Sequence, residues 1–76
     1  MVNRLADNLR KLRYKANLSQ TELCRTFWRV STFEVNQKQY ASYEERRCEP
    51  NITTLKNIAD FYEITIDELC FKKLKL

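Results

Sequence analysis

Apolar residues recur at steps of three and four along nearly the whole chain. Leu5, Leu9 and Leu12, with Ala16 and Val2 on the same stripe, mark an amphipathic first helix over about 3–16. Arg4, Asp7, Arg10, Lys11 and Lys15 take its outer face, and Asn17 follows as a left-handed C-cap. A second helix begins after Ser19 and runs through Leu23, Cys24 and Phe27. Gln37 to Arg46 reads as a third, with Tyr40 and Tyr43 sharing a face. At about 100° per residue, Lys38, Ser42 and Glu45 fall opposite them, flanked by Gln39 and Ala41. Asn51 caps a fourth helix that turns Ile52, Leu55, Ile58 and Ala59 inward. A short fifth helix runs through Ile66, Leu69 and Cys70. No stretch sustains strict alternation, so the pattern predicts an all-α chain of five short helices.

Two of these helices announce their first turn. In Leu18-Ser19-Gln20-Thr21-Glu22-Leu23, the Ser19 hydroxyl can accept from a free backbone N–H while Glu22 reaches back, which is a capping box. Thr65 and Glu68 repeat it at the fifth helix. Gln20 lands beside the positive end of the helix dipole, where an anionic group would dock. Residues 28–35 are the least legible. They prolong the second helix, form a long loop, or begin the third helix early. Ser31 and Glu34, spaced as another capping box, favour the early start; Asn36, a good N-cap, favours a later one.

Seventy-six residues make one domain, 1–76, with a core over about 3–70 and a basic and apolar tail, 71–76, expected to fray. A hydrophobic content of 43% is too high for a disordered segment. Fourteen Lys and Arg against ten Asp and Glu leave +4, which favours a polyanionic partner. No apolar run is long enough for a membrane span, and Val2 to Asp7 mixes charge into what a secretory signal would keep apolar. Cys24, Cys48 and Cys70 are widely spaced and there is no histidine, so no metal site is expected. The cysteines are expected to be small buried apolar side chains in a reducing compartment. Without histidine, a base beside a thiol or a glycine-rich phosphate loop, no catalytic residue and no cofactor is expected.

The chain resembles the Cro/repressor-type helix-turn-helix regulators, the XRE family. The matching pieces are Leu12-Arg13, Leu18 to Leu23, Tyr43-Glu44, Glu49-Pro50-Asn51, Leu55, Ile58-Ala59 and Ile64 to Leu69, covering about 5–70. The resemblance implies a five-helix lambda-repressor-like DNA-binding domain, with the third helix, about 36–46, in the major groove. It implies that Asn36, Gln37, Lys38, Gln39 and Ser42 touch bases or adjacent phosphates. Ser19, Gln20, Arg46 and Arg47 fall at phosphate-contacting positions, and Gln20 can also brace a recognition side chain. Arg13 and Glu44 match a structural ion pair between the first and third helices. A cytoplasmic regulator of bacterial or phage type follows, acting as a homodimer on double-stranded DNA, with the fifth-helix surface of Phe71, Leu74 and Leu76 as the candidate seam.

The side chains themselves suit that reading. Gln37 carries a donor and an acceptor on one planar amide, as an adenine edge requires, and Lys38 can donate to guanine acceptors. Glu45 either accepts from a cytosine amine or sits at the rim. Two features depart from the family. Residues 28–35 lengthen the connection between helices two and three, and displacement of helix three would separate Gln20 from Gln37. Glycine is absent, which leaves Asn17, Arg46 and Glu63 where the family often bends into a left-handed conformation. The alternative reading is a protein-interaction module on the same fold, of antitoxin or anti-repressor type, using 28–35 and the tail.

Overall fold

The computed structural model describes residues 4–74. Five α-helices follow one another: α1 (Leu5–Ala16), α2 (Gln20–Thr26), α3 (Gln37–Glu44), α4 (Ile52–Phe61) and α5 (Ile66–Cys70). No strand occurs among the described residues. Val2 and residue 3, at the expected start of the first helix, lie outside them, as do Lys75 and Leu76.

Four of the five helices, all but α1, begin where a side chain takes over a free backbone N–H. Ser19 and Glu22 close a capping box on α2, and Thr65 and Glu68 close one on α5. Asn36 accepts from the Gln39 N–H at 2.7 Å, and Asn51 from Thr54 at 2.9 Å. The expected box at Ser31 and Glu34 does not form, because Ser31 is still helical. α2 continues without a break into a wider π-helical turn, Phe27–Ser31, and Thr32 ends it with φ 54°. The chain then returns extended to Asn36. The third helix is shorter than expected: it stops at Glu44, and Arg46 turns away in the left-handed region. Asn17 and Glu63 take the same conformation, as the missing glycines predict.

The core joins Leu5 and Leu9 of α1, Leu23 of α2, Tyr40 and Tyr43 of α3, Ile58 of α4 and Leu69 of α5. The lengthened connection contributes to it. Phe27 is fully buried and its ring stacks on Phe33 at 4.6 Å, while Phe61 meets it edge-on at 4.9 Å. Val35, in the returning segment, is buried. Two expected core positions are corrected. Ala16 is exposed because α1 ends there, and Ile52 is exposed in the first turn of α4, outside its apolar face. Cys70 is buried and Cys24 half-buried, but Cys48 is exposed in the turn after α3.

Asn8, which the sequence reading passed over, is the buried polar hinge of the N- and C-terminal helices. Its side-chain amide donates to the Leu69 and Lys72 carbonyls, each at 2.8 Å. Lys11 donates to the Leu74 carbonyl at 3.4 Å. Lys72 and Leu74 of the tail are therefore tied to α1, and α5 is too short to satisfy its last carbonyls itself.

Candidate nucleic-acid interface

Glu44 organises the functional face. It is 3% exposed at the last position of α3. Arg13 reaches it from α1 in a two-pronged grip, Nε to Oε2 at 2.7 Å and Nη2 to Oε1 at 2.9 Å. Arg13 also donates to the Leu18 carbonyl at 3.2 Å, which fixes the approach to α2. Arg10 donates to the Glu44 backbone carbonyl, so α1 holds both the side chain and the main chain at this helix end. Burial alone would push the Glu44 carboxyl up. Hydrogen bonds from Arg13 and Gln20, with the Arg13 charge, outweigh it and hold the carboxyl below its ordinary range.

From Glu44 the network runs outward. Gln20, in the first turn of α2, donates to Glu44 Oε1 at 3.1 Å. Its own amide oxygen accepts from Gln37 Nε2 at 2.9 Å. Arg13, Glu44, Gln20 and Gln37 thus form one relay from a buried ion pair to the exposed first residue of α3. The lengthened connection leaves Gln20 and Gln37 together, because the Phe27–Phe33 stack brings its two ends back to α3. The relay uses one of the two Gln37 N–H groups. The other, with the free Oε1, still offers the donor and acceptor pair of a planar amide.

The other expected side chains divide into free and committed groups. Lys38 and Gln39 project from the exposed face of α3. Asn36 is exposed, with its oxygen committed to the helix cap. Ser42 donates back to the Lys38 carbonyl at 3.1 Å, so its hydroxyl offers only acceptor capacity outward. Ser19 has its N–H bound to Glu22 at 3.0 Å, leaving its hydroxyl proton available. Arg46 pairs with Asp7 at 3.2 Å, and Asp7 also pairs with Arg10. Arg47 lies 3.6 Å from the exposed Glu45 carboxylate. Both arginines remain largely exposed.

Two side chains that sequence reasoning missed belong here. Asp7 gathers Arg10 and Arg46, and Arg10 holds the end of α3. Asn8 had a readable signal, since its spacing from Leu5 puts it on the buried stripe. The Asp7 bridge had none, because it joins residues 39 apart in sequence. No group of acidic residues, cysteine and histidine that could hold a metal occurs among the described residues. Burial, followed by the Glu44 charge, pushes the Cys24 thiol up to about 11, so that it stays protonated near neutrality. No helix among the described residues is long and apolar enough to cross a membrane.

α2, the connection and α3, joined by Gln20 to Glu44 and Gln37 while Arg13 of α1 holds Glu44 from behind, form a helix-turn-helix unit. The helix-turn-helix family model matches residues 9–69. The chain belongs to this family of DNA-binding transcription regulators, of the Cro/repressor type, which is not an enzyme family. Neither a curated protein nor a solved structure gives a significant match.

Proposed function

We propose that this single domain is a sequence-specific, non-enzymatic regulator that lays α3 in the major groove of double-stranded DNA. The observation that carries the reading is the relay ending at Gln37. It aims an amide outward in one orientation, and that orientation suits the N6 and N7 edge of adenine. Lys38 and Gln39 extend the same face, and Asn36 and Ser42 flank it. Ser19, Gln20, Arg46 and Arg47 would sit against phosphates on either side, positioning the helix without reading sequence. Arg46 would exchange Asp7 for phosphate on binding. The protein would act in the cytoplasm of a bacterial or phage-infected cell. It would bind as a homodimer on two half-sites about 34–36 Å apart. Of the proposed seam, Phe71 is exposed and Leu74 half-buried.

Selection of duplexes from a random DNA pool, followed by Gln37→Ala on the winner, tests this. The variant should lose roughly 1–3 kcal/mol of discrimination at one adenine, with the fold unchanged. Enrichment of no sequence, or an unaltered preference in the variant, would overturn it. The second reading, a protein-interaction module, draws on Trp28 and Val30, which are 60% and 66% exposed. Salt separates the two, since phosphate-driven binding weakens with a log–log slope of about −0.9 per phosphate.

A further inference from the structure

The lengthened connection that closes the core from below also presents an outer surface. The π-helical extension and the returning chain enclose an open groove of about 830 Å³. Arg25, Trp28 and Arg29 line one wall, Glu34 lies on the other, and Asn36 and Gln37 close one end. The groove is therefore continuous with the start of the face proposed to read bases.

The Arg25 and Arg29 side chains are exposed, and neither makes an ion pair or hydrogen bond among the described residues; Glu22, three residues before Arg25, is the carboxylate that feels the Arg25 charge. The exposed Arg46 and Arg47 behave differently: each has a carboxylate partner. Arg25 and Arg29 lie four residues, about one turn, apart on one continuous stretch in which α2 passes into the π-turn. Trp28, the single tryptophan of the chain, stands between them in sequence and is 60% exposed, with no ring partner among the described residues. Guanidinium groups suit phosphate oxygens, and an indole between them offers a flat apolar face.

We propose that this extension is a second DNA contact: Arg25 and Arg29 each hold a phosphate of the strand beside the reading face, and the Trp28 ring packs against the sugar between them. The inference rests on the DNA-binding reading above and adds to it a backbone clamp outside the helix-turn-helix itself. Glu34 weakens the clamp by its charge, and its position sets the side of the groove that phosphate avoids.

The test uses the full chain with two labelled duplexes, the one it selects and a scrambled version, titrated between about 50 and 200 mM salt. The double variant Arg25→Ala/Arg29→Ala should flatten the log–log salt slope by about 1.8. Its preference for the selected duplex should stay intact, and Arg25→Lys/Arg29→Lys should restore most of the slope. In the wild type, added DNA should shift Trp28 emission to the blue and shield it from acrylamide. An unchanged slope with unshielded Trp28, beside an intact base preference, overturns the clamp and leaves the DNA reading standing. A wild type with no preference between duplexes overturns both. A Trp28 shift that follows protein concentration without DNA marks the groove as a seam between two copies and also overturns the clamp.

Discussion

At its N-terminal end, α2 meets α3 through hydrogen bonds, Gln20 lying between Glu44 and Gln37. At its C-terminal end it meets the same helix through rings, Phe27 packing on Phe33 and lying edge-on to Tyr40 at 6.1 Å. The two contacts constrain different things. Hydrogen bonds weaken steeply with angle, so the relay fixes which way Gln37 points. Ring contacts gain from area and accept several tilts, so the aromatic end fixes how close the helices lie. This explains where the chain tolerates extra residues. A π-turn, a left-handed Thr32 and a returning strand fit at the aromatic end, because any path that delivers Phe33 back onto Phe27 suffices. The same insertion at the polar end would rotate Gln20 off its partners.

The sharpest way to break the contrast is to remove each anchor in turn. Phe27→Ala deletes a fully buried ring and should cost about 3–5 kcal/mol in urea unfolding. The surviving folded molecules should keep the base preference of the wild type. A variant that folds well but reads a different sequence would show that the aromatic end sets orientation after all.

Glu44→Ala should follow at about 3 kcal/mol, since it strands Arg13, whose side chain is only 12% exposed. Acid should reach the same pair. The folded-state pKa of Glu44 lies below the ordinary 4.5, so the carboxylate's contribution is complete above that pH and disappears as pH falls through the lower folded value. Glu22 and Glu68 shift the same way, through backbone hydrogen bonds in their capping boxes. Glu44→Gln should therefore flatten the acid limb of the stability curve without abolishing it. An acid limb identical to the wild type's would mean that the pair adds nothing to folding. A smaller effect is expected at Gln20→Ala: stability should fall by under about 1 kcal/mol, while discrimination at the Gln37 base pair falls by about 1 kcal/mol. Base preference is read on the selected duplex, stability by thermal melting.

The same contrast explains what could be read from the chain alone. Helix starts were legible because caps are local: Ser19 with Glu22 and Thr65 with Glu68 lie within one turn. Left-handed turns at Asn17, Arg46 and Glu63 followed from family positions where glycine is missing. The path of residues 28–35 was not legible, because propensity offers Ser31–Glu34 a cap while the Phe27–Phe33 stack, a tertiary contact, overrides it. The contact between Gln20 and Gln37 was legible through resemblance. The Asp7 pairs with Arg10 and Arg46 were illegible, because they depend on which surfaces the fold brings together.

Thr32 gives the gentlest probe of the aromatic end. Its φ of 54° is the least suited of the left-handed positions to its residue, because a β-branched side chain crowds the following carbonyl. That conformation costs an L-residue about 1–2 kcal/mol, and glycine avoids the clash while giving back about 0.5–1 kcal/mol through greater unfolded-chain entropy. Thr32→Gly should thus stabilise the protein by about 0.5 kcal/mol, read as a small rise in the urea midpoint. The hydroxyl it removes donates only to the adjacent Ser31 carbonyl at 2.7 Å, on an exposed surface, so little opposes the gain. Base preference should not change, since the variant touches only the end of α2 that sets spacing. A fall in the midpoint would show that the threonine side chain itself holds the returning chain in place, and that the aromatic stack alone does not.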